Sequence, residues 1–249
     1  EFAMDHRRKR KGEFGDPGVG QDMKRWTALI DDMVDGRWIN PGTGKPGRVP
    51  YKSVVIAETL EGREAELVTS VGIKGRIAVV CDQNTRDVMG LRVAKALQAA
   101  HNSGIFGVEI IVLDHPHADE ENIAALREKT RHADALVAVG SGTINDLCKY
   151  VTATDGRGYC VFGTAPSMNG YTSTTASITL ASGLKVSKPA HAPLGVFIDL
   201  SINAAVPTYL VASGFGDCLV RSVAQFDWLL SHRLLDTFYS GLPFQLEAA

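Results

Sequence analysis

The stretch Asp134-Ala-Leu-Val-Ala-Val-Gly-Ser-Gly-Thr-Ile-Asn-Asp-Leu-Cys-Lys149 predicts a buried strand, a glycine turn and a helix in direct succession. Ala135–Val139 is an unbroken apolar run, as expected of a strand covered on both faces. Gly140-Ser141-Gly142 follows at once, and Ser141 or Thr143 can cap the next segment. In that segment Ile144, Leu147 and Cys148 recur at helical spacing. Glycines at such a turn let the backbone approach a ligand, and the unpaired N–H groups of the helix end point at it. The turn can therefore hold a phosphate, or it can merely shape a strand-to-helix connection; by itself it does not choose.

Outward from this stretch, strands and helices alternate. Arg76–Cys81, Val108–Leu113, Ala135–Val139 and Tyr159–Gly163 read as strands. Thr85–His101 and Asp119–His132 read as the helices between them, the first with Val88, Leu91, Val93, Ala94, Leu97 and Ala100 repeating at three and four. This alternation predicts an α/β fold with a parallel sheet. Ligands in such sheets bind at the strand C-terminal ends, so the turns after Cys81, Val139 and Phe162 are the candidate sites. Upstream, Trp26–Val34 predicts a helix, Pro41–Pro50 a loop, Val54–Ala57 a short strand and Glu61–Val71 a polar-faced helix. Downstream, Ala176–Leu180 and Lys185–Ser187 predict a hairpin, Leu194–Ile198 a last strand, and the pattern turns helical from Pro207.

Composition bounds the function. A chain of 249 residues with 45% hydrophobic residues can bury a sizeable core. A formal net charge of −2 argues against a general nucleic-acid binder. No apolar run is long enough to span a bilayer. Cys81, Cys148, Cys160 and Cys218 show no paired metal spacing, and three of them sit in apolar contexts. Buried thiols in a cytoplasmic protein are expected. Residues 1–22 carry the basic run Arg7–Lys11 followed by Gly12, Gly15, Pro17, Gly18 and Gly20. They read as a tag or disordered leader, with Met23 as the native start. Residues 23–205 are expected to form the cofactor-binding α/β domain, and 206–249 the opening of a helical domain that the chain does not complete.

Two polar loops belong to the candidate site. Asp82 follows a strand and can accept hydrogen bonds from a ribose diol, or can cap the helix after it. Facing a ribose, its charge would disfavour a 2′-phosphate and so favour NAD over NADP. Gly163-Thr-Ala-Pro-Ser-Met-Asn-Gly-Tyr-Thr-Ser173 is dense in hydroxyls and would lie beside Gly140–Gly142 if the two strands are neighbours.

Three segments together resemble a known family. Gly140–Lys149 resembles the glycine-rich signature of the iron-dependent alcohol dehydrogenase and dehydroquinate synthase superfamily. Thr164–Ser173 resembles the corresponding loop of its sn-glycerol-1-phosphate dehydrogenase branch, and Gly214-Phe-Gly-Asp217 resembles that branch's segment bearing a metal-binding aspartate. The resemblance implies a Rossmann-like parallel-sheet domain followed by an all-helical domain, with NAD or NADP and a divalent metal, zinc or nickel, in the cleft between. It implies interconversion of glycerol 1-phosphate, a small phosphorylated substrate, and dihydroxyacetone phosphate. By position, Gly140, Gly142, Thr143, Ile144, Asn145 and Asp146 would lie along the cofactor pyrophosphate. Thr164, Ser167 and Ser173 would also contact cofactor, Asn169 would contact substrate, and Asp217 would bind metal and take part in catalysis. On the residues alone, Asp217 reads first as an N-cap for a helix beginning near Leu219, and only the resemblance turns it toward a metal. The chain departs from the family pattern in two places. Asn169 stands where the family carries aspartate, and the family's two histidine ligands have no counterpart, since His232 suits a surface or capping role. No nucleic-acid or membrane partner is expected, and assembly of identical subunits is left open. Glycerol dehydrogenase, dehydroquinate synthase and a non-catalytic nucleotide-binding module are the alternative readings.

Overall fold

The computed structural model describes residues 28–40, 44–47, 49–100 and 104–244. The leader expected over residues 1–22 and the Trp26 end of the first predicted helix lie outside the described residues. Of that helix, residues 28–34 are helical. In the same unit, Ile39 and Pro46 form an isolated antiparallel bridge, and Gly47 packs so close to the Trp38 ring that a Cβ would collide with it.

The described residues from Val49 onward form a separate compact unit. It is built on a six-stranded, all-parallel sheet: β1 (Ser53–Ala57), β2 (Gly75–Asp82), β3 (Ile105–Leu113), β4 (Ala135–Gly140), β5 (Gly158–Gly163) and β8 (Gly195–Asp199). Their spatial order is β1-β8-β5-β4-β2-β3. The chain runs outward from β2 to β3, then returns to the other side of β2 for β4. The β2/β4 boundary is therefore the topological switch point, where a parallel sheet leaves a crevice at its C-terminal edge. An antiparallel hairpin, β6 (Thr175–Thr179) and β7 (Lys185–Pro189), lies outside the sheet.

The apolar run of β4 sits at the centre, every residue buried. Successive side chains alternate faces. Leu136 and Ala138 join one core with Ala78, Val80 and Val161, while Val137 and Val139 join the other with Val79, Cys81 and Phe162. The first core is covered by α3 (Glu120–Thr130) and α4 (Gly142–Asp155), the second by α1 (Glu64–Ser70) and α2 (Leu91–Ala99). Asp119 caps α3 through the Asn122 N–H, which explains why a helix of low amphipathicity starts there. The helix expected over Thr85–His101 is broken into a turn at Gln83–Thr85, a π-helical turn at Arg86–Gly90, and α2. Gly90 lets this segment pack close on β2: a Cβ there would lie 3.0 Å from the Cys81 sulfur. Cys81, Cys148 and Cys160 are buried free thiols, and Cys218 is exposed.

After β8 a short helix, α5 (Leu200–Asn203), precedes α6 (Thr208–Leu235). One expectation is corrected here. The helix does not begin near Leu219 but at Thr208, so Asp217 lies in its interior and caps nothing. Gly214-Phe215-Gly216 is part of that helix. The reason is packing: Gly214 is buried where α6 crosses the chain at Pro166, and a Cβ would fall 1.7 Å from the Pro166 carbonyl oxygen.

Candidate functional site

A cleft of about 450 Å³ opens at the C-terminal edge of the sheet. Asp82, Asn84 and Thr85 line it from the end of β2, Ser141 from the end of β4, and Thr164 and Ala165 from the end of β5. Residues Ser201 to Leu210 close the far wall. The cleft thus lies at the switch point, and β4 and β5 are neighbours in register, Gly140 opposite Gly163. The Thr164 N–H donates to the Gly140 carbonyl at 3.2 Å, which binds the two predicted loops directly together.

Ser141 occupies the N-cap of α4, but its side chain makes no capping bond. Thr143 supplies none either; it is a half-buried residue of the first turn. The first-turn N–H groups of α4 are thereby left facing the cleft edge with a helix dipole behind them. The two glycines have different jobs. A Cβ on Gly140 would collide with Ile144 at 2.7 Å, so Gly140 serves close packing of helix on strand. A Cβ on Gly142 would touch only Met168 Cγ, at an ordinary 3.5 Å, so the space above Gly142 is free for a ligand.

Asp82 serves as a cap and also faces the cleft. Its Oδ1 accepts from the Thr85 N–H at 2.8 Å, while the residue lines the cleft beside Thr85. The Thr85 hydroxyl lies 3.0 Å from the Val139 carbonyl, which holds this turn against the end of β4.

The other predicted residues fall into two further groups. Asn169 and Asp217 meet: the Asn169 N–H donates to Asp217 Oδ2 at 2.9 Å, although 48 residues separate them. Asp146 and Ser173 face away from the cleft toward the β6–β7 hairpin. Asp146 Oδ2 accepts from the Ser177 N–H at 3.0 Å, and Ser173 Oγ accepts from Lys149 Nζ at 2.8 Å. Burial raises the Asp146 carboxyl despite the Ser177 bond and the nearby Lys149. Ile144 and Asn145 are buried, with Asn145 accepting from the Tyr159 hydroxyl at 3.3 Å; only their backbone can serve a ligand. Ser167 is half-buried in the loop that Gly214 crosses.

Sequence reasoning missed the cluster beneath the far wall. Asp199 ends β8 fully buried and caps α5, accepting from the Ser201 hydroxyl at 2.5 Å, the Leu60 N–H at 2.9 Å and Arg92 Nη2 at 2.8 Å. Arg92 Nε also lies 2.6 Å from Glu64 Oε1, another buried carboxylate. Burial pushes the Asp199 carboxyl up, but the bonds from Ser201, Leu60 and Arg92 outweigh it and bring it down to about 2. Asn203 Nδ2 donates to the Gly163 and Asp199 carbonyls, each at 2.9 Å. An acid directly after an apolar strand was the available signal, the same one that pointed to Asp82.

Among the described residues no three His, Cys, Asp or Glu side chains are grouped to hold a metal. Asp217 is one carboxylate, short of the three or four protein ligands of a zinc-type site. His232 lies fifteen residues along the same helix, about 22 Å away at the helical rise. There its Nδ1 lies 2.6 Å from the Thr237 carbonyl and its ring stacks on Tyr239. Among the described residues no helix is long and apolar enough to cross a membrane.

Comparison with known proteins agrees with this fold. Residues 55–207 match the family model for iron-containing alcohol dehydrogenase, and the chain belongs to that family. It is 35% identical to a glycerol-1-phosphate dehydrogenase of Halalkalibacterium halodurans over 68% of this chain and 43% of that protein. It is 30% identical to one of Methanosarcina mazei over 81% of this chain and 55% of that one. The chain thus spans about half the length of the curated relatives it matches. In fold it is similar to an iron-containing alcohol dehydrogenase of Thermotoga maritima, with TM-score 0.60 and 18% identity over 72% of this chain and 54% of that one. It is similar also to glycerol dehydrogenase of Schizosaccharomyces pombe, with TM-score 0.59 and 20% identity over 69% of this chain and 43% of that one.

Proposed function

We propose that this chain carries the NAD(P)(H)-binding part of an oxidoreductase that interconverts sn-glycerol 1-phosphate and dihydroxyacetone phosphate. The observation that carries the reading is the uncapped N-terminus of α4 behind Gly142, opening on the switch-point cleft. Backbone N–H groups and the neutral hydroxyls of Ser141 and Thr164 suit a pyrophosphate, because they add no negative charge. Asp82 reaches the ribose through the carboxylate edge its cap leaves free, and its charge favours NADH over NADPH. A nicotinamide dinucleotide held there would supply the hydride chemistry at the carbinol carbon. The chain's own share is to fix the dinucleotide over the sheet edge and to bring Asn169 to the reacting end. An amide there can accept a substrate hydroxyl hydrogen or donate to a carbonyl, but it cannot take up a proton as a carboxylate would.

In this family a divalent metal, zinc or nickel in the glycerol-1-phosphate branch, would polarise the oxygen. The described residues offer Asp217 alone toward it, so no step is assigned to a metal here. A second reading is a nucleotide-binding module without turnover, favoured by Asn169, an amide that cannot take up the substrate's proton.

Calorimetry with NADH and NADPH tests the cofactor site. NADH should bind more tightly than NADPH, and Gly142→Val should abolish binding in a protein that keeps its fold, since Gly142 has room for a side chain only where ligand would lie. Unchanged NADH affinity in Gly142→Val would sink the site. NADH oxidation by dihydroxyacetone phosphate against dihydroxyacetone then separates the phosphorylated substrate from glycerol dehydrogenase chemistry, and binding without oxidation of either supports the module.

A further inference from the structure

Lys149 ends the glycine-rich motif, yet cofactor binding has no use for it. Its side chain is fully buried. Burial lowers its pKa, with Asp146 at 3.5 Å opposing the shift. A buried ammonium is tolerated only where acceptors surround it. Here all three of its donors are used: Nζ donates to the Gly170 carbonyl at 3.0 Å, Ser173 Oγ at 2.8 Å and the Thr175 carbonyl at 3.1 Å. These acceptors lie in one six-residue segment, immediately after Asn169. On its other side the same loop meets α6, through the Asn169 N–H on Asp217 and the Pro166 carbonyl against Gly214.

We infer that Lys149 is a positioning residue whose ammonium clamps Gly170–Thr175 onto α4. The helix end that faces the cofactor and the loop that carries Asn169 to Asp217 are then held as one body. Three directed bonds from a single point fix the loop's register, which apolar packing of the same volume would not do. The inference deepens the proposed function, and rests on it for its effect on ligand affinity but not for its effect on the loop.

Lys149→Met alone leaves the Asp146 charge buried without its partner and is a folding risk. The working variant is therefore the neutral pair Lys149→Met/Asp146→Asn, in which the amide can still accept from the Ser177 N–H. Ile77→Ala, near the N-terminal end of β2 and buried in the core on the sheet's other face, serves as a control for general loss of stability. Each protein is measured well below its own unfolding transition. In the double variant, hydrogen exchange of peptides spanning residues 166–175 should quicken about tenfold or more, and NADH affinity should fall about tenfold, as expected on losing bonds to a charged group. In Ile77→Ala both should stay within about twofold of the parent, since separated sites act independently. Unchanged exchange in the folded double variant would overturn the inference, as would an equal effect of Ile77→Ala. If the parent itself binds no NADH, the cofactor reading falls, and the exchange measurement alone decides the role of Lys149.

Discussion

At the residue scale, glycines that look alike in the sequence differ in what surrounds them. Gly214 and Gly216 both sit inside α6, two residues apart. A Cβ on Gly214 meets the Pro166 carbonyl at 1.7 Å, whereas one on Gly216 meets nothing within 4 Å. Gly214→Ala should therefore force α6 and the Pro166 loop apart, at a cost of about 1–3 kcal/mol or more. Gly216→Ala should stabilise by about 0.5–1 kcal/mol, because alanine is the better helix former. Urea unfolding of the two variants checks the opposite signs. Gly214→Ala should also weaken the Asn169–Asp217 contact, which depends on the same crossing.

At the element scale, the ends of β2, β4, β5 and β8 supply the site, and buried polar clusters hold their loops. The Glu64–Arg92–Asp199 cluster ties the end of β8 to α1 and α2. The folded-state pKa of Asp199 is depressed to about 2. A depressed carboxylate contributes stability above its unfolded value, near 3.9, and loses it as pH falls through the folded value. The contribution is about 2–3 kcal/mol at neutral pH. Asp199→Asn should remove most of it, and the variant should show a flatter stability curve than the parent between about pH 4 and pH 2. Denaturant titration across that window measures this, and parallel curves for the two proteins would refute the assignment. Because Ser201 and Ile202 line the cleft directly after Asp199, the variant should also bind NADH less tightly at pH 7.

At the scale of the whole molecule, the free energy of folding is concentrated around the sheet. Leu136 is fully buried in β4. In α6, a helix of 28 residues, Gly214 is the one residue buried, while Phe215, Leu219, Val223, Phe226 and Leu230 stand exposed along one side. Leu136→Ala should cost about 2–5 kcal/mol, the range for emptying a packed core site. Phe226→Ala, at an exposed position, should change stability by no more than about 0.5 kcal/mol. Equal losses in urea unfolding would mean that α6 packs in solution more extensively than its exposure indicates.

The alternation of apolar runs was enough to establish the parallel sheet, the central place of Ala135–Val139 and the glycine turn after it. Strand and helix periods are local properties, and a buried parallel strand leaves an unmistakable apolar run. The approach of Thr164 to Gly140 was also legible, because it follows once β4 and β5 are neighbours. Other features depended on the tertiary fold. The helical setting of Asp217 and its meeting with Asn169 depend on how α6 crosses Pro166, a contact between segments far apart in the chain. The burial of Lys149 and Asp199 could not be read from residue type, since charged side chains are normally solvated. Only the assembled loops supply the acceptors and donors that let these two charges leave water.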